Sequence, residues 1–296
     1  MRLPNKIPSF YVFFVPFICA FLLQISGVQS AETPPALIGP DQMLTLQKKH
    51  AGQVRIVHVS GPEILKQSGW LIDYDGLPGM LPTAQQLSSA AKQSGLAPDD
   101  HIVIWPSQTG VWAYAAATRL FWTLRMMGHK HLYFLEGGVV DKGQSNIATS
   151  SQYPVETLSS KWITNMGGVY AGDDYQTPPL DIRDAERSEG YTTHPLVYDP
   201  GTIYGALNIP PVAFFENGLF KTKEQLRALM DDVIGKPPGP VVVFSDTGLR
   251  ASIGWFVIHE IIGLKDVRLY DGGYIDWDAQ GGETYDERND MGDALG

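Results

Sequence analysis

The sequence predicts an α/β protein of two similar domains, each a parallel sheet flanked by helices. Three observations predict it. Two segments read alike: "HIVIW", "PSQTG", a helix-like stretch to Met127 and "GHKHLYFLEGG" are matched by "PVVVF", "SDTG", a helix-like stretch to Ile262 and "GLKDVRLYDGG". A glycine after each helix-like stretch (Gly128, Gly263) lies nine residues before the first of a later glycine pair (Gly137, Gly272), so the copies are offset by 135 residues. That spacing means a duplicated unit, not a short solenoid repeat. Strands such as Val241–Phe244 are continuously apolar, as strands covered on both faces of a parallel sheet must be.

Taken in order, the chain opens with Arg2 and Lys6 before an uncharged apolar run, Phe10 to Ile25, and ends that segment with Val28 and Ser30 at small-residue positions before Ala31. This is the layout of a secretory signal peptide cleaved after Ser30. The run has 16 residues and contains Pro16, short of the roughly 20 that span a bilayer. The first domain is expected over 31–150. "VRIVHV" opens its sheet, and Thr83 and Gln86 have capping-box spacing ahead of a helix. A linker rich in Gly, Ser and Thr is expected over 151–178. The second domain is expected over 179–285. "PLDIR" opens it, Thr222 and Gln225 repeat the capping box, and Leu226, Leu229, Met230 and Val233 form a helical stripe. Residues 286–296 read as an acidic tail.

Composition narrows the partners. The chain carries 22 Lys+Arg against 32 Asp+Glu, a net charge of −10. Loss of residues 1–30 removes two of those positive charges and no acids, leaving −12. Such a balance disfavours nucleic acid and an anionic membrane surface. Cys19 is the only cysteine, so the mature chain has no disulfide, no thiolate metal site and no thiol nucleophile. No metal or cofactor is expected.

The second half carries four motifs in order: "LDIRDAERSEG", "GTIYGALNIP", the loop "SDTGLR" and "DVRLYDGGYIDW". Together they resemble the tandem rhodanese-like sulfurtransferases, the thiosulfate and 3-mercaptopyruvate enzymes. The resemblance extends over nearly all of the mature chain and is weaker in the first half, where Pro106 starts the corresponding loop. It implies two rhodanese-like domains, the first non-catalytic, and a Cys-x-x-Gly-x-Arg loop in the second. Gly248 and Arg250 fit that loop; Ser245 stands where the family carries its catalytic cysteine. By the same resemblance Arg187 matches a substrate-anion arginine.

Serine changes the chemistry. The family moves sulfur through a persulfide on a cysteine whose thiolate is favoured by backbone N–H groups at a helix start. A serine hydroxyl needs a general base beside it, and nothing near Ser245 in sequence supplies one; His259 is 14 residues on, inside an apolar helix. Persulfide turnover is therefore not expected. The loop Ser245, Asp246, Thr247, Gly248, Leu249 and Arg250, with Arg187, is expected to bind instead, in the cleft between the domains. Its ligand would be a small sulfur oxyanion or a thiol- or persulfide-bearing partner protein, met in the periplasm or cell envelope. A plain helix cap at Ser245 is the competing reading, with Arg250 paired to Asp246 or Asp181 and Asp246 opposing anions. An active sulfurtransferase by another route, or a Ser245-dependent hydrolase, is the alternative function.

Other clusters count for less. His129 and His131 read as a solvated turn rather than a metal site. His259–Glu260 lacks the second histidine of a zinc-protease helix. Trp112, Phe121 and Trp122 read as packing residues of one helix.

Overall fold

The computed structural model describes residues 35–137, 152–170 and 177–288. The expected signal peptide and most of the expected acidic tail lie outside them. The first half runs β1 (Leu37–Ile38), α1 (Pro40–Lys49), β2 (Val54–Val59), α2 (Pro62–Gln67), β3 (Ile72–Tyr74), β4 (Leu77–Met80), α3 (Ala84–Gln93), β5 (His101–Pro106), α4 (Val111–Met126) and β6 (Leu132–Leu135). The second runs β7 (Ile163–Thr164), α5 (Met166–Tyr170), β8 (Leu180–Asp181), α6 (Ala185–Ser188), β9 (Thr202–Ile203), β10 (Leu207–Asn208), β11 (Phe215–Glu216), β12 (Leu219–Phe220), α7 (Lys223–Val233), β13 (Val241–Phe244), α8 (Gly248–Trp255), β14 (Val267–Tyr270), α9 (Gly273–Ala279) and β15 (Thr284–Tyr285).

Two parallel sheets follow one plan. The first has the order β1-β6-β5-β2 and the second β10-β8-β13-β14-β7. The repeat read from sequence is thus a repeat of topology, with β7 in the place of β1. This revises the stretch expected as a linker, 151–178. Within it, Ile163 and Thr164 pair with Leu269 and Tyr270 at the edge of the second sheet, while Tyr153 is buried in the first half and its carbonyl accepts from Ser88. A two-residue edge strand has no periodicity to betray it.

Local signals set the elements. Both capping boxes form: Gln86 N donates to Thr83 Oγ1 and Gln225 N to Thr222 Oγ1, each at 3.3 Å, while each glutamine carboxamide accepts from its threonine N–H. Gly128 and Gly263 end their helices at φ +83° and +97°, a region costly for any residue with a Cβ. All four residues of β13 are buried, as the apolar run requires.

The helix α4 is apolar around nearly its whole circumference, the mark of a helix with no solvent face. It packs on α8, so the central helices of the two halves share a seam. Alanines at 113 and 115–117 let the backbones approach, Thr118 Oγ1 meets Ser252 Oγ at 2.8 Å, and Phe121 meets Phe256 edge to face at 4.9 Å. One continuous hydrophobic cluster spans the seam, from Ala36 to Leu269.

The histidines depart from the expected solvated turn. His129 is buried; its Nδ1 meets Tyr153 Oη and its Nε2 the Asp100 carbonyl. His131 is exposed but stacks on buried His101 at 4.5 Å, and His50 stacks on the other side at 3.7 Å. Burial, then the neighbouring His50, His131, His129 and Lys49, hold His101 down to about 4. Its unfolded value is about 6.5. Below that pH the unfolded chain binds a proton that the folded chain refuses, so stability falls between about pH 6.5 and 4. Melting temperature measured over that window should drop less in His101→Gln than in the unaltered protein.

Candidate functional site

Ser245, Asp246 and Thr247 join the end of β13 to α8. The helix cap is Thr247, not Ser245: Thr247 Oγ1 accepts from Leu249 N at 3.2 Å. Ser245 works from two residues further out. Its Oγ accepts from Ala251 N at 3.0 Å and donates to the Thr247 carbonyl. The hydroxyl thus satisfies one first-turn amide of α8 and is spent within its own loop. Ser245 is 1% exposed. His259 does not reach it; that ring stacks on Trp255 at 4.6 Å and pairs with Glu260. Among the described residues, no histidine or carboxylate hydrogen-bonds the Ser245 hydroxyl.

The loop is clamped from behind by the start of α9. Tyr274 N donates to the Ser245 carbonyl at 2.8 Å and Ile275 N to the Asp246 carbonyl at 3.2 Å. Gly273 makes this approach possible. Its φ is +63°, and a Cβ there would run into both carbonyl oxygens. Gly273→Ala should cost about 2–3 kcal/mol, from the unfavourable φ and the displaced loop, read by denaturant unfolding. Gly248, inside the loop motif, serves a second tight approach: a side chain there would strike the Arg119 guanidinium and the Asp271 carboxylate. Those two form a buried ion pair at 2.5 Å between α4 and the turn after β14.

Asp246 points into a cluster of arginines. Its Oδ2 accepts from Arg187 Nη1 at 2.5 Å and Arg250 Nη2 at 2.7 Å, and its Oδ1 lies 3.7 Å from Arg183 Nη1. Two further carboxylates share the cations. Arg250 Nη1 donates to Asp184 at 2.7 Å. Asp181, fully buried, takes Arg183 in a bidentate pair with its closest contact at 2.6 Å, and accepts from Thr202 Oγ1 at 2.8 Å. Arg250 therefore pairs with Asp246, as one expectation had it, and with Asp184 rather than Asp181. Burial alone would lower the pKa of Arg183; its contacts with Asp181 and Asp246 outweigh that and raise it. The guanidinium also lies over the Tyr274 ring at 4.1 Å, a cation–π contact.

In front of this cluster lies a cavity of about 410 Å³. Of the residues singled out in sequence, Arg187, Ser245, Asp246, Thr247, Leu249 and Arg250 line it; Gly248 lies behind, against Arg119. The opposite wall comes from the first half: Glu63 and Lys66 of α2, Leu71, Gly79 and Trp112. Arg187 keeps a quarter of its side chain exposed, and no described residue takes its Nε or Nη2. Trp112 is not a packing residue like its buried neighbours Phe121 and Trp122. It is 56% exposed, with the Arg250 guanidinium 5.3 Å from its ring.

His194 and Trp112 also line the cavity, and Arg183 belongs to the cluster behind it, though none of the three was expected at the site. Arg183 had a signal, the Asp-x-Arg spacing that places it two residues after Asp181. His194 lies in an aperiodic loop, where only the fold reveals the cleft beside it.

The comparisons with known proteins agree with this fold. The model of the Rhodanese-like domain matches residues 171–280. A Mycobacterium bovis protein described as "Putative thiosulfate sulfurtransferase SseA" is 30% identical over 209 residues, covering 65% of this chain and 68% of the relative. The sulfur carrier protein TtuD of Thermus thermophilus is 24% identical over 254 residues, covering 76% and 88%. Among solved structures, the Tum1 protein from Saccharomyces cerevisiae superposes with a TM-score of 0.70 at 18% identity, over 86% of this chain and 98% of its own. The 3-mercaptopyruvate sulfurtransferase from Leishmania major gives 0.64 at 18%, over 83% and 75%. Two parallel sheets of one topology, the four motifs in order and a 30%-identical relative lead to one assignment: the chain belongs to the rhodanese-like sulfurtransferase family.

Proposed function

We propose that this protein is an exported member of the family in which Ser245 stands at the position of the sulfur-carrying cysteine, and that it binds rather than transfers sulfur. Its ligand is a sulfur oxyanion or a thiol or persulfide group presented by a partner protein. The observation that carries this reading is the state of the Ser245 hydroxyl: buried, accepting from Ala251 N and donating to the Thr247 carbonyl. A serine nucleophile needs a base to take its proton, and this proton is held by a backbone carbonyl. Arg187 supports the binding half of the reading, because its open edge supplies paired N–H donors in the geometry that carboxylates and oxyanions accept. Export rests on the layout of residues 1–30.

The test is thiocyanate formation from thiosulfate and cyanide, beside the same assay with 3-mercaptopyruvate. The unaltered protein is expected to form none, while Ser245→Cys forms product, since a thiol is the one group the reaction lacks here. Turnover by the unaltered protein that Ser245→Ala abolishes would overturn the reading.

A further inference from the structure

We propose that His194 is an anion-binding residue of the cleft and that it takes up a proton when an anion docks. The inference rests on the anion-binding reading above and adds a residue and a regulation to it. His194 lines the cavity with Arg187, Asp246 and Arg250. Its Nδ1 accepts from Leu196 N at 3.2 Å, so Nδ1 carries no proton in this state. The neutral ring then holds its proton on Nε2, and no described group accepts it. The loop that presents the ring is fixed at its far end, where Tyr198 N and Asp199 N donate to the Asp278 carboxylate at 2.8 and 3.0 Å.

The charges around the ring decide its behaviour. Partial burial lowers the pKa of His194, Asp246 raises it, and Arg187 and Arg250 lower it, for a net depression. Across the cavity stand Glu63 and Lys66, with Lys66 paired to Asp73. Without a ligand, His194 is therefore a neutral donor beside two guanidinium groups. An anion on the open edge of Arg187 cancels the repulsion that keeps the ring neutral and itself favours the imidazolium. Protonation costs the bond from Leu196 N, because Nδ1 becomes a donor facing a donor. A charge pair formed in a partly enclosed cleft outweighs one neutral hydrogen bond. Docking and protonation therefore favour each other, as linkage requires.

The sign follows. Affinity rises as pH falls through the pKa of the liganded state and levels off below the lower pKa of the free state. Among the described lining residues, His194 is the only one whose ordinary pKa lies between 5.5 and 8. Sulfate and thiosulfate stay fully ionised over that range, so any pH dependence belongs to the protein. The experiment is calorimetric titration of the protein with sodium thiosulfate and with sodium sulfate at pH 5.5, 6.5 and 8, each in two buffers of different ionisation enthalpy. Binding about fivefold or more tighter at pH 5.5 than at pH 8 is expected, with net proton uptake at pH 6.5. In His194→Gln both the pH dependence and the uptake should vanish while weaker binding remains. Binding without proton uptake, or a pH dependence retained in His194→Gln, overturns the inference and leaves anion binding standing. No binding of either anion at any pH overturns anion binding itself, and the inference with it.

Discussion

Arg119→Met should destabilise the protein by about 3–5 kcal/mol, the cost of stranding a buried charge without its partner. Arg119 is fully buried in α4, and its Nη2 lies 2.5 Å from Asp271 Oδ1. The same guanidinium donates to the Gly79 carbonyl at 3.3 Å, while Asp271 Oδ2 accepts from Leu81 N at 2.8 Å and the Asp271 carbonyl from Gly248 N at 2.8 Å. The pair thus ties together the helix of one half, the β4 hairpin and the start of α8. Removing the cation leaves a carboxylate in a place water does not reach. A unit of this size shifts its midpoint by roughly 2–4 °C per kcal/mol, so calorimetry should show a loss of about 10 °C. Adding Asp271→Asn to Arg119→Met should restore at least half of it, because the stranded charge disappears while Leu81 N keeps an acceptor. A double variant no better than the single one would mean that packing, not charge, dominates there.

Asp181→Ala should move stability and affinity in opposite directions. The carboxylate holds Arg183 through Nε and Nη2 and accepts from the Arg183 amide at 3.0 Å. Without it, Arg183 stays buried with the Gly201 carbonyl at 2.8 Å and Asp246 as its nearest counter-ion. The expected loss is again about 3–5 kcal/mol. Asp246 is the carboxylate that also neutralises Arg187 and Arg250. Drawn toward Arg183, it frees Arg187 and loosens its hold on Arg250, which keeps Asp184, and the cluster gains one net positive charge. Thiosulfate affinity, measured under conditions where the variant stays folded, should rise severalfold while the unfolding midpoint falls. Lower affinity would show that Asp246 does not compete with the ligand for these arginines.

Much of the frame was legible because its causes are local. A threonine and a glutamine three apart cap a helix wherever they occur, and a glycine ends one when φ must be positive. The 135-residue offset exposed the duplication because both copies keep those same marks at the same intervals. What stayed hidden depends on partners far along the chain. β1 and β7 exist only because β6 and β14 are there to receive them. The pairing of Arg250 with Asp184 joins residues 66 positions apart, and of the two candidates offered in sequence, Asp246 and Asp181, only Asp246 takes Arg250 as well. Ser245 was legible as a polar residue at a helix start, but which amide it would serve was fixed by the turn that puts Thr247 in the capping position.

The shared seam of α4 and α8 bears on how the cleft can work. Because a single hydrophobic cluster runs through both halves, prying them apart would bare Phe121, Phe256 and the alanine face of α4 to solvent. The jaws of this cleft are therefore welded, not hinged. If the cleft binds as proposed, its guest would have to fit a preset width, with only small adjustments of side chains and of the 190–198 loop to accommodate it.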